Sequence, residues 1–369
     1  MPRAAAARRR VYLDANATEP LLPAARAALL AAFDQIGNPA SVHGPGRAAR
    51  ALLEAARETI AARFGARPAD LVFTSGGTEA NTLAITGLGV GRKLIIGATE
   101  HDAVRAAAPE AAILPVDSAG RADLAALEQI LAGTEGAFVA LMLANNETGV
   151  LHPIPEVARL CHRFGAHLHV DAVQAAGRLA LDWTALGADS LALSAHKLGG
   201  PTGAGALLLA PDAADRLVPL ITGGGQERGR RGGTPALAAI AGFAAAASTP
   251  PADLAPLRDA AEMAARAAGA IVCGAGAERL PNTTCLALPG VAAETQVIAL
   301  DLAGIAVSAG AACSSGKVTR SHVLAAMGLG ELAGQAIRVS LPWNACAADI
   351  TAFADAYQAM ARRLARRAA

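Results

Sequence analysis

The chain has 369 residues, and its 32 lysines and arginines against 31 aspartates and glutamates leave a formal net charge of +1, which argues against nucleic acid as a partner. Apolar residues make up 53% and aromatics only 3%, so the expected product is a folded, soluble protein whose large core is built from Ala, Leu, Val and Ile. The most apolar long stretch, Ala236 to Ala247, falls short of the roughly 20 residues a bilayer demands, and no membrane span is predicted.

In chain order, Met1 to Arg10 is basic and acid-free like a transit peptide. It passes straight into Val11-Tyr12-Leu13-Asp14 without an apolar segment, and is read as a frayed terminus. Arg47 to Phe64 has a helical pattern stopped by Gly65. The runs LVFTS, KLIIGA, AAILPV, AFVALML, HLHVDA, LALSA and GALLLA are strand-sized and mostly apolar on both faces. Such strands separated by helices imply α/β architecture with a buried, mainly parallel sheet, whose ligands gather beyond the carboxyl ends of the strands. Ser248-Thr249-Pro250-Pro251 reads as a linker. Beyond it a helix from Leu254 to Ala268, strands near Ala270–Cys273 and Thr283–Leu288, a helix near Thr295–Leu302, the strand Ile337 to Leu341 and a final Arg-rich helix suggest a second, smaller α/β layer. The expected division is a large domain over 15–249 and a small one formed by 1–14 with 250–369. Cys161, Cys273, Cys285, Cys313 and Cys346 are scattered and form no C-x-x-C pair, which predicts neither a disulfide framework nor a metal site and suits a reducing cytoplasm.

Three strand ends carry candidate chemistry. In FTSGGTEAN (Phe73 to Asn81), Gly76 and Gly77 let the backbone approach a phosphate and Thr78 adds a hydroxyl at the positive end of a helix, although a Gly-Gly-Thr start is also ordinary N-cap chemistry. HLHVDAVQ puts Asp171 at the end of a buried strand, where a carboxylate is costly without a positive partner, and Gln174 three residues on. LALSAHKLGG puts Ser194, His196 and Lys197 at another strand end, where a confined amine has a lowered pKa and forms a Schiff base. Taken singly, each has an ordinary structural explanation. Together, an amine for an aldehyde, an acid for a ring nitrogen and a phosphate cradle fit pyridoxal 5′-phosphate.

SGGTEAN, Thr99-Glu100-His101, NNETG (Asn145 to Gly149), VDAVQ, SAHKLGGPTG and GGGQERGRRGGT together resemble the cysteine desulfurases, pyridoxal-phosphate enzymes of fold type I within the class V aminotransferase group. The resemblance implies a seven-stranded, mainly parallel sheet in the large domain. It makes Lys197 the cofactor lysine, Asp171 the partner of the pyridine nitrogen, and His101 the ring-stacking imidazole that moves a proton. Gln174 and Asn146 are implied as partners of the cofactor's phenolic side and of the substrate. Gly77, Thr78, Ser194 and His196 would hold the phosphate, Thr234 would reach the phosphate of the neighbouring subunit in a homodimer, and Arg338 would grip the substrate's α-carboxylate. VSAGAACSSGK (Val307 to Lys317) resembles the family's persulfide-carrying segment, making Cys313 the nucleophile, while Cys161, Cys273 and Cys285 suit apolar packing.

The implied reaction removes sulfur from L-cysteine, giving L-alanine and a persulfide on Cys313 for an acceptor such as an iron–sulfur scaffold protein. Another class V enzyme, such as a selenocysteine lyase or an aminotransferase, is the alternative. The sequence departs from the family pattern in YLDANATEP, in RGGT and in LPWNA after IRVS, without removing any group named above.

Overall fold

A computed structural model of the chain describes residues 10–310 and 320–368. Val11–Tyr12 form the first strand, β1. The helices Pro23–Phe33 (α1) and Gly44–Phe64 (α2) follow; α2 is capped by His43, whose Nδ1 accepts from the Gly46 N–H, and stops at Gly65, which adopts a left-handed φ of 73° that a Cβ would disfavour.

The seven apolar runs of the sequence all become strands: Leu71–Thr74 (β2), Leu94–Gly97 (β3), Ala112–Leu114 (β4), Phe138–Met142 (β5), His167–Asp171 (β6), Ser190–Ser194 (β7) and Gly205–Leu209 (β8). They form one sheet in the order β2-β8-β7-β6-β5-β3-β4. The pairs from β7 to β4 are parallel, and β8 alone runs against both its neighbours. Apolar side chains alternate between two covered faces. Val72, Ile96, Phe138 and Leu207 point into one core, while Phe73, Ile95, Val139 and Leu208 point into the other. Burial on both sides explains why these runs lack polar alternation, and each fully buried large side chain contributes roughly 1.5–3 kcal/mol. The apolar Ala-rich stretch is a buried helix, Leu237–Ala247, packed on α1 and α2. No helix among the described residues is long and apolar enough to cross a membrane.

A second sheet is antiparallel. Ile271–Cys273 (β9), Thr283–Ala287 (β10), Ser308–Ala309 (β12) and Ala336–Ser340 (β13) take the order β12-β13-β10-β9, and Ile305–Ala306 (β11) pairs in parallel with β1. Its core packs Leu286, Ile337 and Val339 against Phe353 and Tyr357 of the final helix, Ala347–Ala368. The N-terminal segment therefore runs beside sequence some 300 residues away, as the register Val11 to Ile305 shows. Residues 14–19 then stitch the two sheets together. Asp14 bridges to Ser340, the Asn16 side chain donates to the Asn146 carbonyl and Thr283 Oγ1, and the Glu19 N–H donates to the His196 carbonyl.

Candidate active site

The carboxyl ends of β2, β5, β6 and β7 open on one cavity of about 260 Å³. All but one of the predicted cofactor contacts line it: Gly77, Thr78, His101, Asn146, Asp171, Gln174, Ser194, His196 and Lys197. Thr234, the exception, is exposed on the segment after Gly233 and is not part of the cavity wall of its own chain.

Asp171 forms the floor. Its Oδ1 accepts from the Val173 N–H at 2.9 Å and its Oδ2 from Asn81 Nδ2 at 2.7 Å. Burial pushes its pKa up, and the two hydrogen bonds pull it back. The positive partner that the sequence suggests for this carboxylate is the cofactor's ring nitrogen. Within the chain its hydrogen-bond partners are neutral donors, and Lys197 and His101 act on it only through space.

Lys197 ends a short turn of helix, Ala195–Lys197, that follows β7. Its Nζ donates to the carbonyls of Asn16 at 2.5 Å and Ala17 at 2.9 Å, both on the stitching segment. Burial first, then the nearby charges of Arg338 and Arg178, lower its pKa to about 7, against the opposing pull of Asp14 and Asp171. Near pH 7 about half of this amine is neutral and so nucleophilic. The adjacent His196 is likewise pushed down, to about 4, by burial and by Lys197 and Arg178, and its Nδ1 lies 2.8 Å from Thr18 Oγ1.

The cradle follows β2. Gly76 precedes the helix Gly77–Leu88 (α3), whose first N–H groups have no partner within the helix. A Cβ on Gly77 would sit 2.6 Å from Val173 Cγ2. Because β8 runs backwards, Gly205 begins it beside Thr74 and Ser194, and a Cβ there would lie 2.7 Å from the backbone of Gly76. Glycine at both positions thus permits close contact of this turn with Val173 and with β8, and the helix N-terminus facing the cavity suits a phosphate. Glu79, in the first turn of α3, does not oppose an anion as a bare charge: its carboxylate accepts from Arg231 Nε at 2.7 Å and from the Ser75 N–H at 2.8 Å. Those bonds outweigh burial and hold its carboxyl below the usual range.

His101 caps the short helix Asp102–Arg105 (α4), its Nδ1 accepting from the Ala103 N–H at 3.1 Å. The neutral ring therefore carries its proton on Nε2. Arg338 lies on β13, and its guanidinium is already engaged: one nitrogen donates to Asp14 Oδ1 at 2.7 Å, another to the Asn146 carbonyl at 3.1 Å. Among the described residues its buried Nε has no hydrogen-bond partner. Cys161, Cys273 and Cys285 are buried, as expected of packing residues, and Cys346 Sγ donates to Asp349 Oδ2 at 3.2 Å. Cys313 and residues 1–9 lie outside the described residues.

Sequence reasoning missed a supporting layer. Asn81 sits one turn beyond Gly77 on the same face of α3, and His169 precedes Asp171 by two on β6, so both share a face with a predicted site residue. That periodicity was the available signal. Arg178 had none. Its Nη1 donates to Gln174 Oε1 at 3.0 Å, which turns Gln174 Nε2 toward the Asn16 carbonyl at 3.1 Å, and its Nη2 reaches Glu19 Oε2 at 3.4 Å. Glu19 Oε1 in turn accepts from the Trp343 N–H at 2.6 Å. Two of the departures from the family pattern, in YLDANATEP and LPWNA, therefore touch each other and together brace the arginine that orients Gln174.

The family model described as Aminotransferase class-V matches residues 11–353. The chain is 42% identical over 362 residues to a cysteine desulfurase of Cereibacter sphaeroides, covering 92% of this chain and 93% of that one. It is 38% identical to an IscS-like cysteine desulfurase of Mycobacterium tuberculosis, over 97% of this chain and 98% of the other. Among solved structures, a NifS-like protein from Rickettsia africae superposes with a TM-score of 0.86 at 33% identity, covering 95% of this chain and 99% of that one.

Proposed function

The chain belongs to the aminotransferase class-V family, and we infer that within it this protein is a cysteine desulfurase, converting L-cysteine to L-alanine and leaving the sulfur as a persulfide on Cys313. The observation that carries this reading is the single cavity in which an amine with a pKa near 7, a buried carboxylate and an open helix N-terminus face one another. The chain's relatives are named for this reaction, which favours it over a selenocysteine lyase or an aminotransferase.

The residues fit pyridoxal 5′-phosphate. Lys197 would hold its aldehyde, Asp171 its ring nitrogen, and Gly77, Thr78, Ser194 and His196 its phosphate, with Gln174 and Asn146 at the phenolic side. When bound, the cofactor supplies an electron-poor ring that takes up the charge left at the substrate's Cα. The lowered pKa of Lys197 lets its neutral amine accept the Cα proton near pH 7. His101, with Nε2–H directed away from its own cap bond, is the group that exchanges a proton at the substrate. Arg338 would receive the α-carboxylate in exchange for part of its contact with Asp14. The Cys313 thiolate attacks the substrate's Sγ; the Cβ–S bond breaks, the S–S bond forms, and Cβ takes a proton. L-cysteine and one thiol thus become L-alanine and one persulfide. In a homodimer Thr234 would reach the partner's cofactor phosphate, and a sulfur-acceptor protein such as an iron–sulfur scaffold in the cytoplasm would take the sulfur.

The test is to mix purified protein with L-cysteine and a reductant, measure alanine and sulfide, and search for a persulfide on Cys313 by mass spectrometry. Cys313→Ser should keep the cofactor's absorbance and lose sulfide release. Full turnover by that variant would overturn the role of Cys313, and keto-acid formation in place of alanine would overturn the reaction.

A further inference from the structure

Behind Asp171 runs a chain of buried polar groups that the reaction as described above does not use. Asp171 Oδ2 meets Asn81 Nδ2 at 2.7 Å, Asn81 Oδ1 meets His169 Nε2 at 2.9 Å, and His169 Nδ1 meets Ser190 Oγ at 2.8 Å. His169 and Ser190 are fully buried and Asn81 nearly so. Phe138 stacks on the imidazole with ring centroids 6.3 Å apart, so the ring is walled off from water. The members come from three neighbouring elements, β6, β7 and α3.

With Asp171 a carboxylate and His169 neutral, the donors in this chain have one possible direction. A carboxylate only accepts, so Asn81 must present Nδ2 to it and Oδ1 to His169. His169 Nε2 must then carry the proton, and its Nδ1 must accept from the Ser190 hydroxyl. Burial favours the neutral ring this requires, with a pKa near 3. A protonated Asp171 keeps acceptor lone pairs, so the same donors bind it too, but more weakly than they bind a carboxylate. The titratable groups facing Asp171 from elsewhere are Lys197 and His101 across the cavity, and Glu100, whose carboxyl burial pushes well up.

In a dry site, a carboxylate beside a protonated ring nitrogen competes with a carboxylic acid beside a neutral one, because burial disfavours both charges. Donors aimed at the carboxylate decide between them. We propose that Ser190, His169 and Asn81 form a positioning relay that fixes Asp171 as a carboxylate and thereby keeps the proton on the ring nitrogen of pyridoxal phosphate. This rests on the reading of the cavity as a pyridoxal-phosphate site. His169 and Ser190 lie behind the cavity wall, whereas Asn81 is part of that wall as well as the contact to Asp171.

The experiment follows the proton. Full-length protein is loaded with pyridoxal phosphate carrying ¹⁵N in the ring, and the ¹⁵N chemical shift is read for the wild type, His169→Phe, Asn81→Ala and His169→Gln. The wild type should show a protonated nitrogen. His169→Phe and Asn81→Ala should move the resonance toward the unprotonated value, and His169→Gln, which returns a donor where Nε2 stood, should restore it. In the same chains without cofactor, the Asp171 carboxyl, followed by ¹³C, should titrate about one pH unit higher in the two broken variants than in the wild type. Variants that bind cofactor with an unchanged ¹⁵N shift would overturn the relay. Should the wild type take up no cofactor, the pyridoxal-phosphate reading fails, and an unchanged Asp171 titration would separately overturn the relay's hold on the carboxylate. Asn81→Ala decides the matter if His169→Phe does not fold.

Discussion

The floor and the rim of the cavity solve the same problem in opposite ways. Asp171 and Lys197 are both removed from water, and burial pushes each toward its neutral form: the carboxyl up, the amine down to about 7. At the floor, two neutral N–H donors favour the charged form, and the relay behind them gives the carboxylate a fixed orientation. At the rim, two backbone carbonyls accept from the amine while Arg338 and Arg178 repel its charge. The carboxylate is held ready as a charge, and the amine is held ready to lose one. Two groups that burial pushes toward neutrality thus acquire different tasks from their neighbours.

The sharpest way to break this contrast is to remove each group in turn. Lys197→Ala should lower alanine formation by about 10³-fold or more and abolish covalent retention of the cofactor, whereas Asp171→Asn should retain the cofactor and slow turnover by about 10²-fold. Cofactor absorbance read beside the alanine assay distinguishes the two; equal losses of cofactor would erase the distinction. Gly205→Ala attacks the cradle. Its Cβ must displace the backbone of Gly76, so pyridoxal-phosphate affinity, followed by fluorescence titration, should fall about tenfold or more while the protein stays folded. Arg338→Lys removes planar two-nitrogen contact but keeps a charge, and should raise KM for L-cysteine about tenfold with a smaller change in kcat, as steady-state kinetics would reveal.

A smaller effect tests the electrostatics of the rim without cofactor. In the unfolded chain Lys197 keeps its proton to its ordinary value of 10.5, whereas in the fold it releases it near 7. Between those values the unfolded state binds more protons, so this group makes stability rise with pH. Lys197→Met should therefore melt higher than the wild type at pH 6, with the advantage shrinking as pH climbs from 7 toward 10.5. Thermal melts across that range check the sign, and a constant difference would mean the amine is not buried as drawn. Smallest of all, Cys346→Ser should change turnover by less than about twofold, since the thiol faces Asp349 on the final helix and not the cavity.

Much of this was legible beforehand for a physical reason. The seven apolar runs needed no partner to declare themselves, because strands buried on both faces lose polar alternation, and polar residues ending those runs had to emerge at one edge of the sheet. That argument delivered Asp171, Ser194 and Lys197, and the family resemblance delivered His101, Asn146 and Gln174. Asn81 and His169 were visible in quoted motifs but had no assigned task, since nothing in a linear pattern says that a helix face and a strand face meet across Asp171. Glu19, Arg178 and Trp343 were less accessible still, because they lie 159 and 324 positions apart along their bonded pairs.

By itself the sequence determined the mainly parallel sheet, the strand ends where chemistry collects and the family to which those motifs belong, because local periodicity and short motifs encode all three. Tertiary structure alone decided which neighbours set each charge. The carbonyls of Asn16 and Ala17 on Lys197, the amide of Asn81 on Asp171 and the carboxylate of Asp14 on Arg338 come from distant parts of the chain, and a pKa depends on what lies within a few ångströms in space, whatever the separation in sequence.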